Sequence, residues 1–170
     1  MEDSPSSYVI DANILIDLQN GGLLSRFFSL KIQLVTPDVV IEEIRGSVEI
    51  RQSYSGLRVE ELQGRLVSEA ISIKARHTCL SVPDVFALVL AKDLGCPMLT
   101  GDRCLRRAAE EAGISVHGIL WCLNQLLQEE ALDYEQAIVA LEMMLQKNSR
   151  LPLAECREQL EDWRMRAHRT

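Results

Sequence analysis

Short apolar stretches with the composition of buried strands alternate along this chain with longer stretches that carry apolar residues at helical spacing. The strand-like stretches lie at 8–10, in "KIQLVTP", in "CPMLT" and in "ISVHG", with a further one at 57–62 inside the ambiguous segment 47–62. Strands joined by helices pair in parallel, and the helices then cover both faces of the sheet. We therefore expect an α/β fold, a three-layer α/β/α sandwich with a central parallel sheet.

Helical patterns fill the intervals between these strands. Thr36 and Pro37 form a helix-start signal, with Thr36 as the N-cap and Pro37 as the first helical residue. The helix that follows carries Val40 and Glu43 on its apolar side. The other helices are expected at 13–18, 23–29, 63–77, 83–94 and 103–112, and from about 119 onward with a break near 149–152.

The composition is that of an ordinary globular chain without a membrane span. The sequence has 170 residues, of which 47% are hydrophobic and 25% charged, and five cysteines that form no C-x-x-C pair. Because the N-terminus also lacks a signal-peptide pattern, we expect reduced thiols and a cytoplasmic location. The net charge of −7 argues against a nonspecific nucleic-acid binder. Three scattered histidines argue that any bound metal would be held by carboxylates.

Four acidic residues lie next to apolar strands or helices, where a simple solvent-exposed position is difficult to justify. Asp11 and Asp102 follow predicted strands, Glu43 lies on the apolar side of its helix, and Asp84 opens the most apolar helix of the chain. Ligands of parallel sheets bind outside the carboxyl ends of the strands. Carboxylates that met there would repel each other by about 4 kcal/mol per pair at close range, unless protonation or a divalent cation relieved the repulsion. All-oxygen ligation suits Mg²⁺ or Mn²⁺.

Each acid also has a purely structural interpretation. Asp11 and Asp102 can cap the helices that follow them, and Ser81 with Asp84 fits a capping box. Glu43 is the least easily explained in this way, because capping does not account for an acid in the middle of a helix. The residues alone leave both interpretations open.

The segments that hold the four acids resemble the PIN-domain family of metal-dependent ribonucleases, which includes the VapC-like toxins. The resemblance runs in order through "VIDANILIDL", "VTPDVVIEEI" and "SVPDVFALVLAKDLGCPMLTGDRCLRRAAEEAGISV", from about residue 7 to 124. It implies a catalytic domain over 1–124. Residues 125–170 would then be a helical extension that packs on this domain or on a partner.

The resemblance also implies a reaction. One or two Mg²⁺ or Mn²⁺ ions would orient a water against an RNA phosphodiester, leaving a 3′-hydroxyl and a 5′-phosphate. Asn13 and Thr100 match polar positions that would contact substrate or support the site, and Arg103 could meet RNA phosphates. The metal ligands would be the four acids, Asp11, Glu43, Asp84 and Asp102.

Two positions depart from the family pattern. Many members carry another acid where this sequence has Cys104, so a second metal would be held weakly, and Gly101 stands where Asn is common. The missing acid is the best support for an alternative, a non-catalytic PIN-like scaffold or interaction module. A phosphotransfer receiver is a weaker alternative, because the sequence lacks an acid pair near the first strand and a suitable lysine after a later one.

Other polar and aromatic residues receive structural interpretations. Arg106 and Arg107 are predicted to form a solvated helix face paired with Glu110 and Glu111, and Asp17 to be a helix-surface acid. Trp121, Trp163 and His117 are interpreted as core or interface residues rather than as base-stacking or catalytic groups.

The C-terminal segment indicates which kinds of partner the chain could bind. Its apolar residues at helical spacing, such as Leu141 and Met144, suit dimerisation or capture of a partner helix, and its last helix could pack on the domain, serve a partner or fray. PIN-like toxins are typically held inactive by an antitoxin and are often dimeric. The resemblance therefore implies an RNA substrate, an antitoxin protein and a homodimer, with no membrane.

Overall fold

A parallel sheet of five strands lies at the centre of the computed structural model, which describes residues 6–44, 56–148 and 150–168. The strands are β1 (Ser7–Ile10), β2 (Gln33–Pro37), β3 (Leu57–Glu60), β4 (Met98–Leu99) and β5 (Val116–His117). Their order across the sheet is β3-β2-β1-β4-β5, and every neighbouring pair is parallel. The predicted parallel sheet is confirmed. Residues 47–55 of the ambiguous segment lie outside the described part of the chain.

The helices follow the predicted order, with shifts of a few residues at their ends. They are α1 (Ala12–Asn20), α2 (Leu24–Phe28), α3 (Asp38–Glu43), α4 (Arg65–Arg76), α5 (Val82–Leu94), α6 (Arg103–Glu111), α7 (Ile119–Gln128), α8 (Tyr134–Lys147) and α9 (Leu153–Ala167). None of the described helices is both long and apolar enough to pass through a membrane.

Two apolar cores lie on opposite faces of the sheet, because successive strand residues point to opposite sides. Val9 and Met98 belong to the core formed with α4, α5 and α6. Ile10 and Leu99, one position further along the same strands, belong to the core formed with α1, α2, α7, α8 and α9. The result is the expected three-layer α/β/α sandwich.

The start of α3 differs from the sequence prediction. Pro37 is the N-cap rather than the first helical residue, and Thr36 is still part of β2, where it pairs with Val59 of β3. The buried Thr36 hydroxyl donates to the carbonyl oxygen of Ile10 at 2.9 Å. Pairing on both sides of β2 holds Thr36 in an extended conformation, so its hydroxyl bonds to β1 instead of capping the helix.

The C-terminal helices pack on the rest of the chain. Leu141 and Met144 of α8 and Trp163 of α9 are fully buried, and they share one core with the first helix of the chain. Gly21, at the end of α1, lies so close to Met144 that a β-carbon there would stand 2.4 Å from the methionine methyl. The helix predicted to pack, serve a partner or fray therefore packs within the chain. The proposed division at residue 124 stays a prediction.

Candidate functional site

The strand order reverses between β1 and β4, and the predicted site residues lie at this reversal. Strands β2 and β3 lie on one side of β1, and β4 and β5 lie on the other. The chain segments that follow β1 and β4 therefore leave the sheet in opposite directions. This opens a crevice outside the carboxyl ends of the two strands. Asp11 directly follows β1, and its backbone N–H donates to the Leu99 carbonyl oxygen of β4 at 3.0 Å. Thr100 directly follows β4.

Asp11 is a buried carboxylate, 1% exposed, that accepts three hydrogen bonds. Its Oδ1 accepts from the Ala12 N–H at 2.7 Å, and its Oδ2 accepts from the Thr100 hydroxyl at 2.9 Å and from Asn13 Nδ2 at 3.2 Å. Burial, with a smaller contribution from the charge of Asp84, raises the pKa of Asp11 to about 7 in spite of the three hydrogen bonds, which lower it. Asp11 therefore caps α1 as the structural interpretation predicts, and it also carries an unusually basic carboxylate.

Thr100 connects two of the predicted acids. Its fully buried hydroxyl donates to Asp11 Oδ2 and accepts a hydrogen bond from the Asp102 N–H at 3.0 Å. One hydroxyl thus fixes the end of β4 relative to the end of β1. The predicted supporting role of Thr100 corresponds to this position, and Asn13 lies on the other side of the same carboxylate oxygen.

Asp102 and Asp84 cap the helices that they begin. Asp102 Oδ1 accepts from the Leu105 N–H at 2.8 Å, and Asp84 Oδ2 accepts from the Ser81 N–H at 2.6 Å in a complete capping box. Each cap occupies one carboxylate oxygen. The second oxygens, Asp102 Oδ2 and Asp84 Oδ1, accept no hydrogen bond from the residues that the structure describes. Capping and cation binding are therefore compatible at both residues.

Glu43 occupies a different place from the one predicted. Helix α3 is only six residues long, so Glu43 is its last residue and is exposed, rather than an acid in the middle of an apolar face. Partial burial raises the pKa of Glu43, and the negative charge of Asp84 raises it further. Glu43 thus faces Asp84 across the boundary between α3 and α5.

Asp84 is the acid common to these electrostatic interactions. Its charge raises the pKa of both Asp11 and Glu43. The pKa of Cys104 rises to about 11, first through a hydrogen bond with Cys79 and burial, and also through the charges of Asp102 and Asp84. Asp84 is therefore close enough to Asp11, Glu43 and Cys104 to act on the pKa of each.

This group of acids has the chemistry of a site for a hard cation. Carboxylates that lie close together bind a divalent cation in place of protons, and oxygen ligands suit Mg²⁺ or Mn²⁺. As the side chains stand, however, no three His, Cys, Asp or Glu residues within 6–44, 56–148 and 150–168 are placed to hold a metal ion together. The assignment of the four acids as metal ligands stays a prediction.

The predicted pairing of the arginines on α6 is confirmed for both, with Arg106 lying 4.0 Å from Glu110, but only Arg107 is fully solvated. Arg107 is solvated and pairs with Glu111 at 2.9 Å, as expected. Arg106 turns back toward the sheet, where Nη2 donates to the Thr100 carbonyl oxygen at 3.1 Å and Nη1 reaches the Val116 carbonyl oxygen at 3.5 Å. The reason is that α6 starts directly above the ends of β4 and β5, whose last carbonyls need donors.

Asp17 is buried rather than solvated. It is 1% exposed, and its Oδ1 accepts from Asn148 Nδ2 at 2.8 Å. Burial raises the pKa of Asp17, and this hydrogen bond opposes the rise. The one signal in the sequence is its spacing of three residues from Ile14 on the buried face of α1. The partner, Asn148, is too distant along the chain to be predicted.

A cleft of about 1110 Å³ is lined by Asp102, and the other three predicted acids do not line it. It reaches from Asn13 and Asp102, past Arg103 and Trp121, to the residues between α8 and α9. Trp121 stacks against His117, with ring centroids 4.6 Å apart and planes at 18°. The buried Trp163 is a core residue as predicted, whereas Trp121 is half-buried and lines this cleft.

Two solved structures resemble this fold. The structure of PAE2754 from Pyrobaculum aerophilum aligns with a TM-score of 0.55 and 14% identity, over 74% of this chain and 94% of that chain. A PilT N-terminus domain protein, SSO1118 from Sulfolobus solfataricus P2, aligns with a TM-score of 0.47 and 14% identity, over 69% and 91%. At these identities the first similarity supports the fold alone. No curated protein sequence matches the chain.

The sequence itself matches a protein-family model. The model is described as DUF3368, PIN domain, and the match covers residues 7–164, nearly the whole chain. It includes the acids at the switch point and also α8 and α9. Members of this family are usually nucleases. On this match, the chain belongs to the PIN-domain family.

Proposed function

We propose that this PIN domain is a Mg²⁺- or Mn²⁺-dependent endoribonuclease whose cation is held by Asp11, Glu43, Asp84 and Asp102. The observation that carries the proposal is the position of Asp11 and Asp102 at the switch point of the sheet, where the buried Thr100 hydroxyl bonds to the carboxylate of the first and the N–H of the second. Asp84 of α5 raises the pKa of Asp11, after β1, and of Glu43, at the end of α3. Capping accounts for one oxygen of Asp84 and of Asp102, and it leaves the other oxygen of each available to a cation.

The residues of the chain have separate tasks in this proposal. A bound divalent cation supplies the charge and the activated water that phosphodiester hydrolysis requires. Thr100 and Asn13 hold the Asp11 carboxylate in one orientation, and Arg106 fixes the carbonyl that follows β4. In this proposal Arg103, which is exposed in the first turn of α6 and lines the cleft, meets a phosphate of the substrate.

The proposed biological setting is that of a toxin restrained by an antitoxin. It is supported by the family resemblance of the acidic segments and by the apolar residues Val139 and Met143, which are 56% and 39% exposed one turn apart on α8. That surface suits a partner helix or a second copy of the chain. Arrest of growth on expression of the wild type, and not of Asp84→Asn, supports the toxin role.

The experiment that tests the nuclease proposal measures RNA cleavage. It compares Asp→Asn variants at the candidate site with the same substitution at a helix cap outside the site. Asp84→Asn and Asp102→Asn keep the acceptor oxygen of each helix cap, because Asn caps as well as Asp. Asp133→Asn, at the capping box of α8, is the matched control. With Mn²⁺ and a fluorescent single-stranded RNA, we expect each site variant to lose cleavage by about 100-fold or more, and the control to cleave as the wild type does.

A second candidate function is the non-catalytic scaffold. The specific observation in its favour is that no three acids of the described residues are placed to hold a metal ion together, and that Cys104 stands where a further acid is common. Absence of cleavage by the wild type with Mg²⁺ and with Mn²⁺, on single-stranded RNA of mixed sequence, favours the scaffold over the nuclease.

A further inference from the structure

The cleft that Asp102 lines has two walls that come from distant parts of the sequence. The first wall is formed by the starts of α6 and α7, with Arg103, Arg106 and Trp121. The second wall is formed by the turn between α8 and α9, with Lys147 and Arg150. The C-terminal segment therefore borders the same cleft as Asp102.

The charge of this cleft differs from that of the whole chain. Its lining holds four cationic residues, Arg103, Arg106, Lys147 and Arg150, and three acidic ones, Asp17, Asp102 and Glu155, a formal balance of +1 in a protein of net charge −7. Three of these, Arg103, Lys147 and Arg150, are exposed and form no ion pair with the described residues. Cations concentrated without acidic partners at the edge of a cleft provide contacts for a polyanion.

The turn that carries the second wall is fixed in position. Asn148 Nδ2 donates to the buried Asp17 at 2.8 Å, and Asn148 Oδ1 accepts from the Arg150 N–H at 2.9 Å. Leu151 is 8% exposed in the core that α1 also joins. Lys147 and Arg150 are thus held beside the cleft by a hydrogen-bonded turn and a buried anchor.

The first wall also carries an aromatic ring. Trp121 lines the cleft and packs on His117 and Tyr8, with ring centroids 4.6 Å and 4.9 Å away. Burial and the charge of Arg106 lower the pKa of His117, which favours the uncharged imidazole. Unstacked bases pack on such aromatic rings, whereas bases inside a duplex do not expose their faces.

We propose that this cleft binds the single-stranded RNA next to the phosphate to be cleaved, with phosphates on Lys147 and Arg150 and a base on Trp121. The inference rests on the proposed nuclease function and extends it, because it makes the C-terminal helices part of the substrate site. Double-stranded RNA presents no base to Trp121 and is the weaker ligand.

The test measures RNA binding separately from cleavage. Anisotropy of a fluorescein-labelled, mixed-sequence single-stranded RNA is followed over a range of salt concentrations, with Asp84→Asn as the parent to prevent cleavage. The cleft variant adds Lys147→Gln and Arg150→Gln. The matched control adds Lys31→Gln and Arg157→Gln, which remove the same charge from exposed positions outside the cleft.

The expected result is specific to the cleft. The slope of log K against log salt should fall by about 1.4 in the cleft variant, since each lost phosphate contact removes about 0.7 for a single strand. The control should keep the slope of its parent. Trp121→Leu should weaken binding by about fivefold or more, and Trp121→Phe, which retains a ring, by less.

The outcomes separate this inference from the nuclease proposal. If the wild type cleaves RNA but the cleft and control variants bind alike, the cleft inference is overturned and the nuclease stands. If the wild type does not cleave but the cleft variant alone loses binding, the cleft binds RNA and the nuclease fails. Absence of binding by the parent at low salt, or equal competition by duplex RNA of the same sequence, also overturns the inference.

Discussion

Single residues at the switch point serve the fold and the proposed chemistry at the same time. Asp11, Asp84 and Asp102 each cap a helix, and the charge of Asp84 also contributes to the raised pKa of Asp11. The two interpretations that the sequence leaves open are therefore not exclusive. A cap needs one carboxylate oxygen, and a cation can take the other.

Thr100 is the residue on which the arrangement of the acids depends. Thr100→Val removes the hydroxyl that donates to Asp11 and accepts from the Asp102 N–H, with little change in shape. We expect a loss of about 1–3 kcal/mol in the free energy of unfolding, because both buried partners lose a hydrogen bond. Urea unfolding measures this loss as a lower midpoint concentration of urea, with no change in the slope of the unfolding free energy against urea concentration.

The control for this prediction is Thr100→Ser. It keeps the hydroxyl and removes only a methyl group, which costs about 1 kcal/mol. If the valine variant is as stable as the serine variant, the hydroxyl does not hold the two acids in place.

At the scale of elements, the end of one helix is fixed by a side chain of another. Helix α8 ends at Lys147, and the next residue, Asn148, bonds to Asp17 of α1. Burial raises the pKa of Cys122 on α7 and of Cys156 on α9, and the charge of Asp17 adds to the rise at both. Four helices therefore meet around the buried Asp17 carboxylate. Its hydrogen bond with Asn148 positions the second wall of the cleft.

The burial of Asp17 predicts how stability depends on pH. Its pKa is raised in the folded chain, so the folded state binds the proton more tightly than the unfolded state does. The stability that Asp17 contributes is full below the ordinary aspartate pKa of about 3.9 and is lost as the pH rises through the raised value. Asp17→Asn keeps the acceptor for Asn148 without the titration. Its stability should therefore fall less steeply over this pH range.

Unfolding in urea at a series of pH values measures this difference. Asp11 and Glu43 also have raised pKa values and the same sign of effect, so the comparison is between variant and wild type at each pH. Asp133→Asn, at an exposed helix cap, is the control. Parallel curves for Asp17→Asn and the wild type would contradict the prediction.

At the scale of the whole molecule, the proposed cation site depends on the complete sheet, because its four acids come from separate elements. They come from the end of β1, the end of α3, the start of α5 and the start of α6. A cation that they hold together binds the folded chain and not the unfolded one. Binding should therefore be visible as a change in global stability, without knowledge of the RNA.

Millimolar Mn²⁺ should raise the melting temperature of the chelator-treated protein. The expected gain is about 2.7 kcal/mol when the free ion exceeds its Kd by about 100-fold. Asp84→Asn should lose this gain. Without the ion, the same variant should be at least as stable as the wild type, because the charge that raises the pKa of Asp11 and Glu43 is gone. Differential scanning calorimetry measures the stability of both proteins with and without the ion. An equal Mn²⁺ effect in both proteins would place the ion elsewhere.

Much of the fold and part of the site were accessible from the sequence, for physical reasons that are local. The alternation of short apolar strands with helices gives a parallel sheet, and the periodicity of the helices gives their faces. Asp11 and Asp102 were located correctly because a strand end and a helix cap are both properties of neighbouring residues. Asp84 was identified by its spacing from Ser81 in the same way.

Only the tertiary structure decided which distant groups meet. It ended α3 at Glu43, turned Arg106 onto the carbonyls of Thr100 and Val116, and buried Asp17 against Asn148. It also placed the turn between α8 and α9 beside Asp102. Each of these contacts joins parts of the chain whose approach depends on how helices pack on the sheet. Local composition determines which elements form, and packing determines which of their side chains share a site.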